Sequence, residues 1–426
     1  MIKSYSLIKD SETHNLNSKV KKKIDLNFLG EIEKGKVYYS SLLSKLFLVD
    51  SEKELEEIKN RKHSIPDSFS IGPYSKIVLF PTTVCNFNCE YCLSSAKGEG
   101  TNLDPKIAKK AIDFFIESKN LEKVSVKFIG GGEPTQNFSL IKETTEYLKE
   151  KDIPSNIGLQ TNGLIDDKKR KWIAKNLDGI CISCDGPSYI QNKQRPLANG
   201  GKTSNQVEES IKYFVEQDIS ISVRSTITLF SQTKQKEIVD YFYRLGIKEI
   251  DFLNVLKMGR GEKQSNKYNK TPDRKISIEN FLKAKDYADK IGTELKCPFF
   301  PIYKRRNTFC DCSIPSFMIT ADGYVSACED FSLGKKYEKA PMIYGKFDKK
   351  KNKFVFDKGK LDRLQNRKIC NMDKCKDCFL KWNCGGGCHS LAYRKNNDIY
   401  SPFRDNCKWI KGSSKKHLMN LAKNKF

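Results

Sequence analysis

Residues 81–92, PTTVCNFNCEYC, carry the strongest signal in this sequence. They place Cys85, Cys89 and Cys92 at C-x3-C-x2-C spacing, directly after the apolar, strand-like run KIVLF at 76–80. Three thiolates on one short loop can wrap an iron–sulfur cube, because cysteine sulfur holds the irons of such clusters. No fourth cysteine follows within the loop, so one iron would stay open to a substrate or a cofactor. The alternatives are a zinc knuckle and unrelated buried cysteines, although zinc sites usually take their ligands as C-x2-C pairs.

Length and composition exclude several classes of protein. At 426 residues the chain can bury a large core and hold roughly two or three domains. No stretch approaches the roughly 20 apolar residues of a membrane span, and the first residues, MIKSYSLIKDSETHN, contain no apolar signal region. We therefore expect a cytoplasmic protein without a membrane partner. In such a chain, 15 cysteines are more consistent with metal or cluster ligands than with disulfides.

The chain is strongly basic, with a net charge of +25 from 77 Lys and Arg against 52 Asp and Glu. A positive surface attracts acidic partners and can hold nucleic acid without sequence preference. Much of the lysine falls on predicted helix faces, which favours a solvated surface, and an acidic peptide substrate is the functional interpretation. Aromatic residues are not interleaved with basic patches as in single-strand binders, so we expect no nucleic-acid partner.

Strand-like and helix-like segments alternate along the middle of the chain. The predicted strands are 76–80, 124–129, 156–161, 179–183, 220–226 and 249–253, and the predicted helices between them are 105–118, 139–150, 166–176, 205–217 and 234–245. Such alternation indicates βα units around a parallel sheet. Six strands are too few for an eightfold barrel, so we predict an α/β fold with a partial (β/α)6 barrel. Chemistry in these folds gathers at the C-terminal ends of the strands.

The cysteine loop and the motifs behind the next strands resemble those of the radical S-adenosylmethionine (SAM) enzymes. In that family the open iron is chelated by SAM, and the fold is a partial barrel. GGGEP at 130–134 is similar to the motif that receives the SAM amino group, and ISCDGP at 182–187 to a strand-end motif that contacts its ribose and carboxylate. The resemblance assigns SAM contacts to Tyr91, Gly132, Glu133, Ser183, Asp185, Arg195 and Arg224.

Two of these regions have alternative interpretations. Arg224 could instead pair with a carboxylate inside the barrel. Cys181 and Cys184 flank Ser183, but side chains at these positions of a strand point to opposite faces, so we expect both cysteines in the core.

Cysteines return in number near the C-terminus. Cys312 to Cys328 fits C-x10-G-x4-C around the hairpin-like segment FMITADGYVSAC, and 375–388 fits C-x2-C-x5-C-x3-C, followed by Cys407. Two groups of sulfur ligands could enclose two metal centres, and structural zinc is the alternative.

This arrangement resembles the SPASM domain, which holds two auxiliary [4Fe–4S] clusters. The resemblance implies an outer cluster on Cys375, Cys378, Cys384 and Cys407, and an inner cluster on Cys312, Cys328 and Cys388. The fourth inner ligand would be Cys310, Cys297 or a substrate thiolate. His389, beside Cys388, could be a ligand, but a histidine on the surface of a helix or turn is the expectation.

We predict three domains: an N-terminal extension (1–72), the radical SAM barrel (73–292) and the auxiliary-cluster domain (293–426). In the extension, 36–48 reads as two strands around a turn and 51–60 as a helix with Ser51 as N-cap and Glu54 three residues on. Such a unit can hold a peptide by edge-strand addition and resembles leader-recognising extensions of peptide maturases; a plain barrel cap is the alternative. Residues 258–272 are expected to form a mobile loop or domain edge.

The resemblance implies that SAM is cleaved to a 5′-deoxyadenosyl radical, which modifies a ribosomally made peptide and forms a thioether or carbon–carbon crosslink. It implies three [4Fe–4S] clusters, a precursor peptide with a leader, and a flavodoxin- or ferredoxin-type electron donor. In the sulfatase-maturating branch an acidic residue at the position of Glu329 acts as the base, and Glu329 is chemically able to do so. The alternatives are an anaerobic sulfatase-maturating enzyme that makes formylglycine and a non-catalytic, zinc-stapled nucleic-acid-binding module.

Overall fold

The computed structural model of this chain describes residues 3–7, 24–60, 76–119, 121–151, 153–298, 300–314 and 316–426. Residues 8–23 and 61–72 of the predicted N-terminal extension lie outside the described residues. The chain forms two compact units. One contains Met1–Gly72, Pro298–Ser313 and Gln365–Phe426, and the other contains Pro73–Cys297 and Ile314–Leu364. We call the first the terminal unit and the second the barrel unit. No helix in the described part of the chain is long and apolar enough to cross a membrane.

The terminal unit begins with a four-stranded antiparallel sheet in the order β1-β4-β3-β2. Its elements are β1 (Lys3–Ser6), β2 (Asn27–Ile32), β3 (Gly35–Ser40), β4 (Lys45–Val49) and the helix α1 (Glu52–Asn60). The predicted helix start is confirmed, since Ser51 Oγ accepts the Glu54 N–H (3.3 Å) and the Glu54 carboxylate accepts the Asp50 N–H (3.0 Å). One core cluster of this sheet includes Phe47 and Ile58 and is covered by Trp382.

The barrel unit is built on parallel strands that alternate with helices. Its strands are β5 (Lys76–Leu79), β6 (Val124–Phe128), β7 (Ser155–Thr161), β8 (Gly179–Ser183), β9 (Ser220–Ile227), β10 (Glu249–Asn254) and β11 (Glu294–Lys296). Its helices are α2 (Pro105–Lys119), α3 (Phe138–Glu150), α4 (Asp167–Asn176), α5 (Ser188–Gln194), α6 (Ser204–Val215), α7 (Gln235–Arg244) and α8 (Arg274–Lys290). All six predicted strands are present, each parallel to its neighbours, and the α/β class with a partial barrel is confirmed.

Side chains alternate along these strands between a packed face and a polar face. In β6, Val124, Val126 and Phe128 are fully buried, whereas Ser125 and Lys127 are half-buried. The polar face lines a cavity of about 300 Å³ whose walls include Lys76 and Glu249, at the amino ends of β5 and β10, and Lys127 of β6. The cysteine loop and its neighbouring motifs follow the opposite, carboxyl ends.

The barrel sheet extends into the segment expected to belong to the C-terminal domain. Strand β12 (Phe317–Ile319) pairs in parallel with β5. Beyond β12 the sheet continues through the antiparallel strands β13 (Tyr324–Ser326), β14 (Ile343–Asp348) and β15 (Lys353–Phe356). The predicted hairpin around Gly323 is therefore present, but it packs with the barrel because β12 completes the hydrogen bonds of β5. The compact units thus group the residues differently from the predicted domains, which remain a prediction.

The chain ends in four helices. They are α9 (Lys358–Gln365), α10 (Lys381–Cys384), α11 (His389–Asn396) and α12 (Arg404–Lys425). Within the terminal unit α12 packs against β2 and β4, and Met419 approaches Gly30 so closely that an added Cβ would lie 3.1 Å from its Cε.

Candidate active site

The three cysteines of the barrel unit lie on the loop between β5 and α2. The loop folds back on itself, since Cys85 N donates to Lys97 O (2.7 Å) and Phe87 N points at Cys85 Sγ (3.4 Å). Burial and neighbouring acidic groups raise the pKa of Cys85 to about 12 and that of Cys89 to about 11. Cys85, Cys89 and Cys92 form no disulfide.

The GGGEP turn, residues 130–134, presses directly against this loop. Gly132 N donates to Thr82 O (3.1 Å) and Glu133 N to Val84 O (2.8 Å). A Cβ at Gly132 would lie 2.1 Å from Val84 O, so only glycine permits this approach. The turn therefore positions the strand end that leads into Cys85.

Glu133 is buried, and its carboxylate accepts hydrogen bonds from four groups of the protein. It accepts the Thr135 N–H (3.0 Å), the Thr135 hydroxyl (2.8 Å), the Thr161 hydroxyl (2.7 Å) and the Asn162 N–H (2.7 Å). Burial raises the pKa of Glu133, and these donors oppose the shift. The geometry gives Glu133 a structural role, which joins the turn to the end of β7.

Asp185 is fully buried and acts as a second junction. Its carboxylate accepts from the Tyr91 hydroxyl, Gln194 Nε2 (2.6 Å), Arg195 Nε (3.1 Å) and Thr226 N (2.9 Å). It thereby joins the cysteine loop, the helix after β8 and the strand β9. The Tyr91 hydroxyl and the Asp185 carboxylate are hydrogen-bonded to each other. The structure thus brings the predicted SAM contacts Tyr91, Asp185 and Arg195 together, but it also engages their polar groups in hydrogen bonds within the protein.

Arg195 brings a positive charge to the cysteine loop. Its Nη1 lies 3.8 Å from Cys89 Sγ, and its guanidinium lies 5.5 Å from the centre of the Tyr91 ring. Burial lowers the pKa of Arg195, but Tyr91, Asp185 and Cys89 together raise it well above its usual value. A charged donor beside a cysteine sulfur is the kind of outer contact that tunes a bound cluster.

Sequence reasoning missed Gly259 and Arg260 at this site. Arg260 donates from Nε to Cys89 O (2.7 Å), from Nη1 to Ala96 O (3.0 Å) and from its backbone N to Cys92 O (2.9 Å). Residues 258–272, expected to form a mobile loop or domain edge, contain a 3-10 turn (Gly259–Glu262) and further hydrogen-bonded turns. The hydrogen bonds of Arg260 join this segment to the cysteine loop. A glycine next to an arginine after β10 was the only local signal.

Arg224 lies on the polar face of β9, opposite Ser183 in the β8–β9 register. Its Nη1 donates to Gln160 Oε1 (3.0 Å), and ion pairs run to Asp251 (3.5 Å) and Glu329 (3.9 Å). Arg224 Nε is buried and has no hydrogen-bond partner among the described residues. The barrel carboxylates thus engage one end of the guanidinium, while its Nε can still donate to a bound acceptor. Cys181 and Cys184 are both buried, as predicted.

Four cysteines of the terminal unit surround one pocket. Cys375, Cys378, Cys384 and Cys407 line it together with apolar side chains such as Leu380 and Ile410. Burial, followed by the neighbouring cysteines, raises the pKa of Cys375 to about 11 and that of Cys384 to about 12. The predicted outer ligands are therefore brought together, and four thiols in an apolar pocket suit a [4Fe–4S] cluster.

A buried network lies beside the predicted inner ligands. His389 is 1% exposed, so the expectation that it lies on the surface is wrong. Its Nε2 lies 2.7 Å from Ser313 Oγ and its Nδ1 lies 3.7 Å from Cys310 Sγ. Arg367 Nη1 lies 3.3 Å from His389 Nδ1, and these contacts hold the ring inside the unit. Burial, then Arg367, lowers the pKa of His389 well below its usual value.

The other inner ligands remain a prediction. Cys310, Cys312 and Cys388 belong to the terminal unit, whereas Cys328 belongs to the barrel unit. Among the described residues, no three His, Cys, Asp or Glu side chains lie close enough together to hold one metal ion. A four-iron cluster takes its sulfurs on separate irons and does not require them to converge on a single ion.

Comparison with known proteins decides the family. Residues 79–244 match the radical SAM superfamily. A cysteine-type anaerobic sulfatase-maturating enzyme of Clostridium perfringens is 24% identical over 348 residues, covering 76% of this chain and 91% of that enzyme. The chain contains a radical SAM domain. This radical SAM enzyme also matches an uncharacterized protein of Methanocaldococcus jannaschii, at 30% identity over 179 residues; the match covers 41% of this chain but only 61% of that protein.

Solved structures show the shared fold. The structure described as native anSMEcpe with bound AdoMet and Cp18Cys peptide has a TM-score of 0.65 at 20% identity, with 83% of this chain and 100% of that chain covered. The structure of Streptococcus suis SuiB bound to precursor peptide SuiA has a TM-score of 0.57 at 18% identity, with 90% and 98% covered. Both likenesses, at 20% and 18% identity, show the fold that this chain shares with those structures.

Proposed function

We propose that this radical SAM enzyme modifies a ribosomally made peptide, forming a thioether or carbon–carbon crosslink. The observation that carries the proposal is the presence of two separate cysteine sets, three on the barrel loop and four around one pocket of the terminal unit. The proposal includes three [4Fe–4S] clusters and SAM as cofactors, and a precursor peptide with a leader as substrate. It also includes a flavodoxin- or ferredoxin-type electron donor and a cytoplasmic location.

The residues around the barrel loop would prepare the site for its cofactors. When bound, a [4Fe–4S] cluster with SAM on its open iron supplies a 5′-deoxyadenosyl radical that abstracts hydrogen from a substrate. Cys85, Cys89 and Cys92 would hold that cluster. Arg195 places a positive charge beside the Cys89 sulfur, and the unpartnered Arg224 Nε can donate to a carboxylate in the barrel.

A peptide substrate is supported by the relatives and by the N-terminal sheet. SuiB was solved with a precursor peptide, and anSMEcpe with a peptide. In this chain β2 is an end strand of the antiparallel sheet, and Phe28 on it is exposed. An end strand with an exposed aromatic side chain can pair with an extended leader through main-chain hydrogen bonds. Leader binding by residues 1–72 is part of the proposal.

Sulfatase maturation is the second candidate, and Glu329 is the observation that favours it. Glu329 directly follows Cys328 and is partly exposed, with Oε2 3.9 Å from Arg224 Nη1. A carboxylate there can accept a proton from a substrate near the barrel strands. The similarity to the Clostridium sulfatase-maturating enzyme agrees with this candidate.

Anaerobic reconstitution tests the cofactor assignment. We expect about twelve irons per chain in the wild type and about eight in Cys85→Ala/Cys89→Ala/Cys92→Ala, because each cube holds four. With SAM and reductant, only the wild type should produce 5′-deoxyadenosine. Zinc in place of iron, together with no SAM cleavage by the wild type, would favour the zinc-stapled binding module.

A product assay separates the two substrates. The enzyme is co-expressed with each short Cys-containing reading frame beside its gene, or incubated with a synthetic sulfatase peptide that carries the target cysteine. A crosslink appears as a peptide that has lost two hydrogen atoms and carries no aldehyde, whereas formylglycine is trapped by a hydrazine. Glu329→Gln should abolish only aldehyde formation, and the exposed Glu262→Gln serves as its control. Activity on neither peptide class would contradict the proposal.

A further inference from the structure

Among the described residues, Arg367 is the largest side chain that is completely buried. The groups that contact its guanidinium are all formally neutral. Its Nη2 donates to Gly386 O (2.9 Å), its Nε donates to Ile399 O, and its Nη1 faces the His389 ring at 3.3 Å. In the described part of the chain it forms no ion pair with Asp or Glu. The guanidinium is therefore buried without a counter-charge from a carboxylate.

Such a charge is expensive unless something negative lies beside it. Burying an ion costs several kcal/mol even after relaxation, and an arginine does not escape that cost by losing its proton. Burial lowers the pKa of Arg367, and the groups that oppose this most strongly are all cysteines: Cys310, Cys312, Cys388 and Cys375. The negative partner of Arg367 is therefore expected among sulfur ligands.

The network fixes the guanidinium in place. Gly386 lies between Cys384 and Cys388 in sequence, so the Nη2 hydrogen bond ties Arg367 to the segment that carries ligands of both predicted clusters. Ser313 Oγ donates to Arg367 O (2.9 Å) and contacts the His389 ring, which in turn contacts Cys310 Sγ. Arg367 thus has little freedom to turn away from the cysteines.

We propose that Arg367 is the fixed counter-charge of the auxiliary iron–sulfur site in the terminal unit. It is a positioning residue that raises the reduction potential of the adjacent cluster, because a nearby positive charge stabilises the form that carries the added electron. The inference rests on the auxiliary clusters of the proposed function.

The test uses the full chain carrying Cys85→Ala/Cys89→Ala/Cys92→Ala, so that only auxiliary clusters can be loaded. Into this parent we place Arg367→Gln, which removes the charge, and Arg367→Lys, which keeps it. Arg404→Gln, on the exposed first residue of α12, is the control for an equal change of net charge. Iron content and the reduction potential followed by electron paramagnetic resonance are measured after anaerobic reconstitution.

We expect Arg367→Gln to shift the potential of one cluster to a more negative value or to lose that cluster's iron. The Lys variant and the Arg404 control should match the parent. If the Gln variant keeps its iron and its potential, or if Gln and Lys variants lose iron alike, the counter-charge role is overturned. A parent that binds no iron would instead overturn the auxiliary clusters of the proposed function, and the inference with them.

Discussion

The two cysteine regions balance their charges in different ways. In the barrel unit, Arg195 is paired with Asp185, and the Glu133 carboxylate accepts four hydrogen bonds. In the terminal unit, Arg367 has neutral partners, and the pocket of the outer cysteines is lined by apolar side chains and by Lys381 and Lys411. The barrel loop is therefore organised by the protein itself, whereas the terminal unit should depend on its metal centres for charge balance.

The largest expected effect is the loss of a whole cluster from the terminal unit. Cys407→Ala removes one of four thiols around the pocket, so we expect about one third of the iron to be lost, corresponding to about four atoms. Cys370→Ala is the control, because Cys370 is exposed and does not line that pocket. Iron counted after reconstitution checks this, and equal losses from the two variants would argue against the outer ligand set.

The next effect tests whether the barrel loop is organised by its own charges. Asp185→Asn leaves Arg195 without its buried counter-charge, which should cost about 3–5 kcal/mol. Asp104→Asn makes the same chemical change at an exposed position before α2, where asparagine caps equally well, and should change stability little. Hydrogen exchange of residues 85–96 is the measurement. Unchanged protection in Asp185→Asn would show that the junction is dispensable.

The sequence predicted the elements of the barrel better than the roles of its residues. Cysteine spacing is local, so Cys85, Cys89 and Cys92 could be found without a structure, and the βα alternation predicted all six strands. The hydrogen-bond partners of Asp185 and Glu133 are distant in sequence, so their structural roles could not be read from the motifs. Arg260 was missed for the same reason, and the burial of His389 depends on Arg367, which no local pattern links to it.

A smaller effect tests the turn that supports the cysteine loop. Gly259 has φ +55°, and an added Cβ would lie 2.3 Å from both Cys92 O and Leu93 O. Gly200 also has positive φ (+84°) but has nothing within 4 Å of that position. Gly259→Ala should therefore be about 1–3 kcal/mol more destabilising than Gly200→Ala, because both carry the backbone strain but only one adds the clash. Thermal unfolding compares the stability of the two variants. Equal losses of stability would mean that the backbone around Gly259 can shift to accommodate the added Cβ at no cost.

The smallest expected effect tests a hydrogen bond that links the N-terminal sheet to the segment of the outer cysteines within the terminal unit. The buried Tyr39 hydroxyl donates to Asn383 Oδ1 (3.0 Å), and Asn383 precedes Cys384. Tyr39→Phe leaves that amide oxygen buried without this donor, at a cost of about 1–2 kcal/mol. Tyr38→Phe is the control, because neighbouring strand residues point to opposite faces and Tyr38 is partly exposed. If the terminal unit depends on its metal centres, Tyr39→Phe should speed the release of outer-cluster iron to a chelator, while Tyr38→Phe should not. Equal rates of iron release from the two variants would show that the Tyr39 hydrogen bond does not stabilise the outer cluster.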